Sequence, residues 1–265
     1  MIDICTTATI RPDILNRTLE SFKKNLICDY PARMIVNIDP VGEHRNAQEV
    51  VDVCRRYFPA PVIRFADKPS FPKAFLWCWR NVISPYVLQL EDDWELLEPV
   101  SLAQMIATLD RQKNLAMLRL SAFRSGVHNA KHWNKFLDWN GRFFEVQEQD
   151  RRRIGFCGHP ALIKREWIEQ VLPLMNTVKN PEKQLQFPEY NSNDLLITVL
   201  GWRYGVYQQQ QKPAQIKDIG RDWIAGSGWK KKGNRAYFTE WERTEYCYLN
   251  RVEMYLNLML HGVVT

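Results

Sequence analysis

The chain has 265 residues, 45% hydrophobic and 25% charged, with a formal net charge of +6. This composition excludes a disordered or low-complexity chain, and the length suits one large α/β domain with a full core. No apolar run approaches membrane-spanning length, and the positive balance points weakly to a polyanionic partner.

Ile2–Ile10 reads as a strand that the chain enters directly, so no secretory leader is expected. Thr6-Thr7-Ala8-Thr9 closes it. Arg11-Pro12-Asp13 then opens a helix with proline in its first turn. Ile14, Leu15, Thr18, Leu19, Phe22 and Leu26 recur at helical spacing. A strand over 34–38 ends at Asn37-Ile38-Asp39-Pro40, and 42–46 reads as loop. Ala47–Tyr57 is a helix with Val50, Val51, Val53 and Cys54 inward, and 62–66 is a third strand. This β-α-β-α-β order is a doubly wound, parallel start. Right-handed crossovers place the strand ends on one rim, gathering Thr6 to Arg11, Asp39, Asp67 and Lys68. A helix over 73–82, beginning at Lys73, leads into a buried strand over 86–90 that ends in Glu91, Asp92 and Asp93.

Ligands of open α/β sheets bind outside the carboxyl ends of the strands, where these three acids fall. Adjacent carboxylates suit Mg²⁺ or Mn²⁺; the alternative is a solvated acidic turn. There is no GxGxxG after the first strand and no GxxxxGK[ST], which argues against a dinucleotide dehydrogenase or a P-loop enzyme. The remaining physical solution for a nucleotide is a diphosphate neutralised by a metal on the acidic strand end.

The second half begins with a helix over 101–111, capped by Ser101, and a strand over 115–120. Residues 123–140 read as irregular. His128 and His132 lie four apart there without an intervening Glu, and read as surface histidines. A strand is expected over 143–147. Arg151, Arg152 and Arg153 form a basic run, either a solvated face or a phosphate contact. Residues 156–163 are strand-like and 164–172 helical; 181–190 is polar and reads as loop. Asn191-Ser192-Asn193-Asp194 opens a helix over 195–200. Asp194 is either an acid favoured by the helix dipole or a general base. A strand over 204–207 follows. Residues 226–233, with Trp229 and Lys230, read as a flexible basic lid or anion-binding arm, and 240–260 as a final helix. Six cysteines without a CxxC pair read as reduced thiols of an intracellular, cytoplasmic protein. Ten Trp, ten Tyr and twelve Phe either build a large core or form stacking surfaces.

Several of these stretches together resemble the GT-A-fold glycosyltransferases of the family-2-like kind. Thr6 to Pro12 resembles the first strand and turn that hold the nucleotide base, and Asn37-Ile38-Asp39 the second strand end. Glu91-Asp92-Asp93 resembles the DxD-type metal motif in EDD form, and Gly158-His159-Pro160-Ala161 the acceptor-side strand. The helix beginning at Asp194 and ending at Gly201-Trp202-Arg203 resembles the one carrying the catalytic base. Asp218-Ile219-Gly220 stands where many members have His-x-Gly, a departure at a second metal ligand. The resemblance implies a single α/β GT-A domain with a mostly parallel, Rossmann-like sheet. Residues 1–98 would be the nucleotide-sugar half, 99–215 the acceptor half, and 216–265 a lid loop and helix.

The activity it implies is inverting sugar transfer from a UDP-sugar, UDP-glucose first, to a hydroxyl, with Mn²⁺ or Mg²⁺. Asp194 would be the base, and Asp93 and Asp218 the metal ligands. Thr6, Thr7, Ala8, Arg11, Asp39, Lys73, Glu91, Asp92 and Arg221 would contact the donor. Asp218 to Trp223 also looks similar to the TET-associated glycosyltransferases of phages, which implies hydroxymethylated pyrimidines in DNA as acceptor. Arg151, Arg152, Arg153, Trp223, Trp229 and Lys230 would then meet DNA, with Lys212, Lys217, Lys231, Lys232 and Arg235 as further phosphate contacts and Trp133, Trp139 and Tyr237 as further stacking candidates. A saccharide acceptor, a nucleotidyltransferase and a non-catalytic DNA-binding module are the competing readings. Neither a membrane nor a protein partner is expected.

Overall fold

The first strand, β1 (Ile2–Ile10), is buried along its whole length, and the sheet grows outward from it on both sides. The computed structural model describes residues 1–27, 30–43, 46–122, 136–187, 190–207, 214–234 and 238–243. β2 (Ala32–Gly42) and β4 (Tyr86–Glu91) flank β1, both parallel to it, and β3 (Val62–Phe65) pairs in parallel with the outer edge of β2. Beyond β4 lie β9 (Ala161–Lys164), β6 (Leu115–Leu120), β10 (Arg203–Tyr207), β8 (Phe144–Val146) and β7 (Leu137–Trp139). They complete a nine-stranded sheet of order β3-β2-β1-β4-β9-β6-β10-β8-β7. β9 is antiparallel to both β4 and β6, and β10 is parallel to β6. The carboxyl ends of β1, β2, β3, β4, β6 and β10 therefore share one rim, which is the expected mostly parallel α/β architecture.

Both faces of the sheet are covered, as a parallel sheet requires. α1 (Pro12–Asn25), α2 (Ala47–Tyr57) and α4 (Leu102–Arg111) pack Leu15, Leu19, Phe22, Val50 and Met105 against Ile4, Val36, Leu88 and Leu118. α4 begins at a capping Ser101, whose side chain accepts from the Gln104 amide at 3.3 Å. The other face carries α3 (Phe71–Arg80), α5 (Arg151–Ile154), α6 (Arg165–Val171), α7 (Pro181–Gln186) and α8 (Asn193–Leu200). A chain of tilted and edge-to-face aromatic contacts runs through this second core. Phe75 and Trp79 lie 4.4 Å apart, Trp79 and Trp167 5.8 Å, and Trp167 and Tyr204 5.9 Å between ring centroids. Much of the aromatic surplus is thus core packing.

The structure corrects four local expectations. Residues 181–186 form helix α7 and not loop: Pro181 starts it, and the Asn180 side chain caps it by accepting from the Lys183 amide at 3.2 Å. Arg221–Gly226 is a short helix, α9. The basic stretch expected as loop contains β12 (Trp229–Asn234), paired antiparallel with β13 (Phe238–Arg243). The expected final helix is therefore replaced by strand over 240–243; its remainder lies outside the described residues, as do His128, His132, Trp133, Lys212, Arg235 and Tyr237. A separate two-stranded ladder joins β5 (Trp94–Leu96) to β11 (Ile216–Asp218). Three-residue strands such as these carry no periodic signal of their own.

Candidate active site

The acidic motif divides its labour. Asp92 turns inward and is only 3% exposed. Its Oδ2 accepts from the Thr9 amide at 2.8 Å and the Thr9 hydroxyl at 3.0 Å, and from Arg11 Nε at 3.3 Å; its Oδ1 accepts from Arg11 Nη2 at 2.5 Å. Its backbone carbonyl accepts from the Thr18 hydroxyl at 2.8 Å. Asp92 therefore ties the end of β4 to the end of β1 and the first turns of α1. Arg11 also donates through Nη2 to Asp93 Oδ2 at 3.2 Å. Burial opposes charge on the guanidinium, but the carboxylates of Asp92 and Asp93 outweigh it and hold Arg11 above its ordinary value.

Asp93 lies at the crevice beside the β5–β11 ladder. Asp218 is in register with Trp94, and the Ile219 amide donates to the Asp93 carbonyl at 2.9 Å. This ladder seats the second acidic motif against the first across 125 residues of chain. Gly220 closes the junction: a Cβ there would lie 2.2 Å from Asp93 Oδ2, so only glycine allows the approach. Asp218 accepts from the Gly220 amide at 3.1 Å and from Arg221 Nε at 2.8 Å. Among the described residues no group of three or more His, Cys, Asp or Glu could hold a metal alone. Two hard carboxylates are nevertheless a suitable partial set for Mg²⁺ or Mn²⁺, which commonly take one or two carboxylates plus phosphate oxygens and water. Asp93 and Asp218 would supply carboxylates of that kind, one from each strand end of the ladder.

The β1–β2 wall carries the residues expected around a nucleotide. Thr6, Thr7 and Ala8 are buried in register with Val36, Asn37 and Ile38. Asp39 accepts from Asn37 Nδ2 and from the Ser70 amide, both at 2.9 Å. Burial raises its carboxyl above the ordinary value, opposed by those two donors. The Thr6 hydroxyl and Asn37 Oδ1 are buried without hydrogen-bond partners, an uncommon state for polar atoms. Lys73 is exposed in the first turn of α3, three residues beyond Ser70.

The opposite wall comes from the segment entering β9. A Cβ at Gly158 would lie 2.9 Å from Glu91 Oε1, so the two segments are in close contact. The Gly158 amide donates to Glu182 Oε1 of α7 at 3.2 Å, and the His159 ring meets Trp94 edge-on at 5.0 Å. Arg119, 7% exposed, donates to the Ile154 carbonyl at 2.6 Å and to Cys157 Sγ at 3.5 Å. Asp194 is exposed in the first turn of α8, whose cap Ser192 accepts from the Leu195 amide at 3.2 Å. α8 packs on α5, which carries Arg151, Arg152 and Arg153; Arg151 donates to the Leu200 carbonyl at 3.3 Å. Trp223 of α9 covers Arg11, its ring centroid 5.0 Å from the guanidinium carbon. Trp229 opens β12, and the next residue, Lys230, pairs with Glu242 at 3.7 Å.

No protein-family model and no curated protein matches this chain. Solved structures do. S. aureus TarS is similar over 84% of this chain and 38% of its own, at 12% identity and a TM-score of 0.53. The mannosyltransferase PcManGT from Pyrobaculum calidifontis, in complex with GDP-Man and Mn²⁺, is similar over 80% of this chain and 58% of its own, at 14% identity and a TM-score of 0.54. S. aureus TarS 1-349 in complex with UDP-GlcNAc is similar over 80% of this chain and 57% of its own, at 13% identity and a TM-score of 0.51. The chain has the α/β GT-A fold of these proteins. It spans less than two thirds of their length.

The fold thus brings Asp93, Asp218, Arg11, Asp92 and Arg221 together and sets Asp39 on the β1–β2 wall, with Lys73 exposed on α3. Asp194 and the arginine run lie on the flank formed by α5 and α8. Sequence reasoning missed Thr9 and Thr18 as anchors of Asp92, and Arg119 and Glu182 beside the Cys157–Gly158 segment. Only the proximity of Thr9 to Arg11 hinted at the first; nothing in the linear sequence marks the others. Among the described residues no helix is long and apolar enough to cross a membrane.

Proposed function

We propose that this chain is a metal-dependent, inverting glycosyltransferase that moves a sugar from a nucleotide diphosphate to a hydroxyl acceptor. The observation that carries this reading is the β5–β11 ladder, which seats Asp218 beside Asp93 at the strand-end rim. The same fold in proteins solved with GDP-Man and Mn²⁺ and with UDP-GlcNAc supports it. Residues 1–98 serve as the donor half, 99–215 as the acceptor half, and 216–265 as the cover. Thr6, Thr7, Ala8 and Asp39 receive the base and ribose, Lys73 and Arg221 serve the diphosphate, and Glu91 meets the sugar. Asp93 and Asp218 would hold Mn²⁺ or Mg²⁺, which would supply positive charge to the leaving diphosphate. Asp194 takes the proton of the acceptor hydroxyl as it attacks the anomeric carbon opposite the departing oxygen.

For the acceptor we favour a hydroxymethyl group of a modified pyrimidine in DNA, with UDP-glucose as donor. The net charge of +6 and the packing of the arginine-bearing α5 against α8, which carries Asp194 in its first turn, support a polyanionic acceptor. A saccharide acceptor is the second reading, favoured by the placement of Trp223 on Arg11 and of Lys230 on Glu242, which occupies two of the contacts assigned to DNA. A cytoplasmic setting accords with the free, buried thiols of Cys5, Cys54 and Cys78.

Incubation with UDP- and GDP-sugars, Mn²⁺, and either DNA containing 5-hydroxymethylcytosine or 5-hydroxymethyluracil or a set of saccharides tests both readings. Mass spectrometry should show a hexose adduct on the modified nucleoside. An adduct on the saccharides alone selects the second reading, and neither adduct nor donor hydrolysis overturns the transferase assignment. Asp194→Asn should abolish transfer while leaving UDP binding nearly intact; turnover like that of the wild type removes Asp194 as the base.

A further inference from the structure

We propose that Arg11 is a built-in counter-ion that competes with the metal for Asp93, and that Trp223 holds it in that position. This rests on the metal-dependent reading above. Three observations carry it. Arg11 is 5% exposed and donates through one nitrogen, Nη2, to both Asp92 and Asp93, at 2.5 and 3.2 Å. Its other terminal nitrogen, Nη1, is buried with no hydrogen-bond partner. A buried, unused guanidinium N–H is costly, so the group is placed for something besides its present contacts. The Trp223 ring lies over the guanidinium, close enough for a cation–π contact.

The electrostatics give these contacts a consequence. A divalent cation at Asp93 stands next to a fixed positive charge that already uses the same carboxylate. Protein ligands alone form an incomplete set, since no cluster of three candidate ligands occurs among the described residues. Metal binding to the protein without nucleotide is therefore opposed by Arg11. A diphosphate changes the balance, because it supplies oxygen ligands to the metal and accepts from Arg11. Nη2 can leave Asp93 for a phosphate oxygen, and Nη1 gains the acceptor it lacks, once α9 lifts Trp223 away. Asp92 keeps Nε and anchors the side chain throughout. Arg11 thus acts as a positioning residue that couples metal binding to donor binding. By linkage, nucleotide must then tighten metal by the same factor as metal tightens nucleotide.

The test is Mn²⁺ binding, read by electron paramagnetic resonance and titration calorimetry, with and without UDP or GDP. Wild-type protein should bind Mn²⁺ weakly alone and more tightly with nucleotide. Removing Arg11 alone would strand the buried charge of Asp92, so the main variant is Arg11→Met combined with Asp92→Asn. In it, Mn²⁺ affinity without nucleotide should rise about tenfold, and the gain on adding nucleotide should shrink by a similar factor, a coupling of ordinary size. If circular dichroism shows that this variant does not fold, Arg11→Lys and Trp223→Ala decide. Lysine is a point charge without the second nitrogen by which Arg11 holds Asp92 through Nε while Nη2 reaches Asp93, and alanine removes the cover. Each should raise nucleotide-free Mn²⁺ affinity roughly threefold, a fraction of the full coupling. Unchanged nucleotide-free affinity in the folded variants overturns the role of Arg11 while leaving the transferase reading intact. Absence of Mn²⁺ binding to wild-type protein, even with UDP and GDP, overturns both.

Discussion

Cys157 shows how strongly a single residue's surroundings set its chemistry. Burial pushes the thiols of Cys54 and Cys78 up to about 12. The same effect acts on Cys157, but the charges of His159 and Arg119 and a hydrogen bond from His159 outweigh it, and the thiol is brought down to about 7. Cys157 is also partly exposed, whereas Cys5, Cys54 and Cys78 are buried. Alkylation of native protein with iodoacetamide, mapped by peptide mass spectrometry, should therefore modify Cys157 with a midpoint near pH 7 and spare those three. His159→Ala should shift that midpoint up toward the ordinary thiol value of 9.0. A midpoint at or above 9.0 would show that the cationic surroundings do not act on the sulfur. The sequence contained Cys157 and His159 two apart, but Arg119 reaches them only because β6 and β9 are neighbours in the sheet.

At the scale of elements, the β5–β11 ladder is the joint on which the candidate site depends. It consists of three residue pairs, Ile216 with Leu96, Lys217 with Glu95 and Asp218 with Trp94. Its tightest point is Gly220, where an added methyl would stand 2.2 Å from Asp93 Oδ2 and 2.8 Å from Asp93 Cβ. Gly220→Ala must push the start of α9 away from β5. Overpacking of this kind costs about 1–3 kcal/mol, here confined to the small ladder and not the nine-stranded sheet. We expect Mn²⁺ affinity in the presence of UDP to fall about tenfold, as a displaced ligand costs a factor of that order, with little change in the main unfolding transition. Equal affinity in the variant would mean that Asp93 and Asp218 do not act together. Neither strand was legible in the sequence, because three residues give no period. α7 was misread for a different reason: its polar composition hid the Asn180-Pro181 start signal, which the structure uses as a cap.

Across the whole molecule, the rim opposite the crevice does structural work. Asp3, fully buried at the start of β1, accepts from Arg33 at 2.8 and 3.1 Å and from the amides of Ile83 and Ser84 at 2.6 and 2.8 Å. It thereby joins β1, β2 and the turn into β4. Burial raises its carboxyl, but Arg33 and the two amides outweigh that and hold it below the ordinary 3.8. A lowered folded value means that the stabilisation is complete above the ordinary value and disappears as pH falls through the lowered one. Asp3→Ala should cost about 3 kcal/mol, the low end for breaking a buried pair, because Arg33 keeps some solvent. Urea unfolding at pH 7 should show that loss, and the gap to wild type should narrow in strong acid. A gap independent of pH would mean that packing, and not charge, holds this rim together.

The amino-acid sequence by itself determined the parallel α/β start, the bounds of strands β1 and β6 and helix α2, and the identity of the acids at the end of β4. Continuous apolar runs and helical spacing are local properties, and they survive in a one-dimensional reading. Tertiary structure alone decided that Asp92 is an inward anchor, that Asp218 meets Asp93, that Trp223 lies on Arg11, and that much of the aromatic surplus is core. The first three of those facts are contacts between residues roughly 80 to 210 positions apart, set by how the chain topology brings distant segments side by side. Such contacts depend on chain topology and close packing, for which neither composition nor periodicity carries a signal.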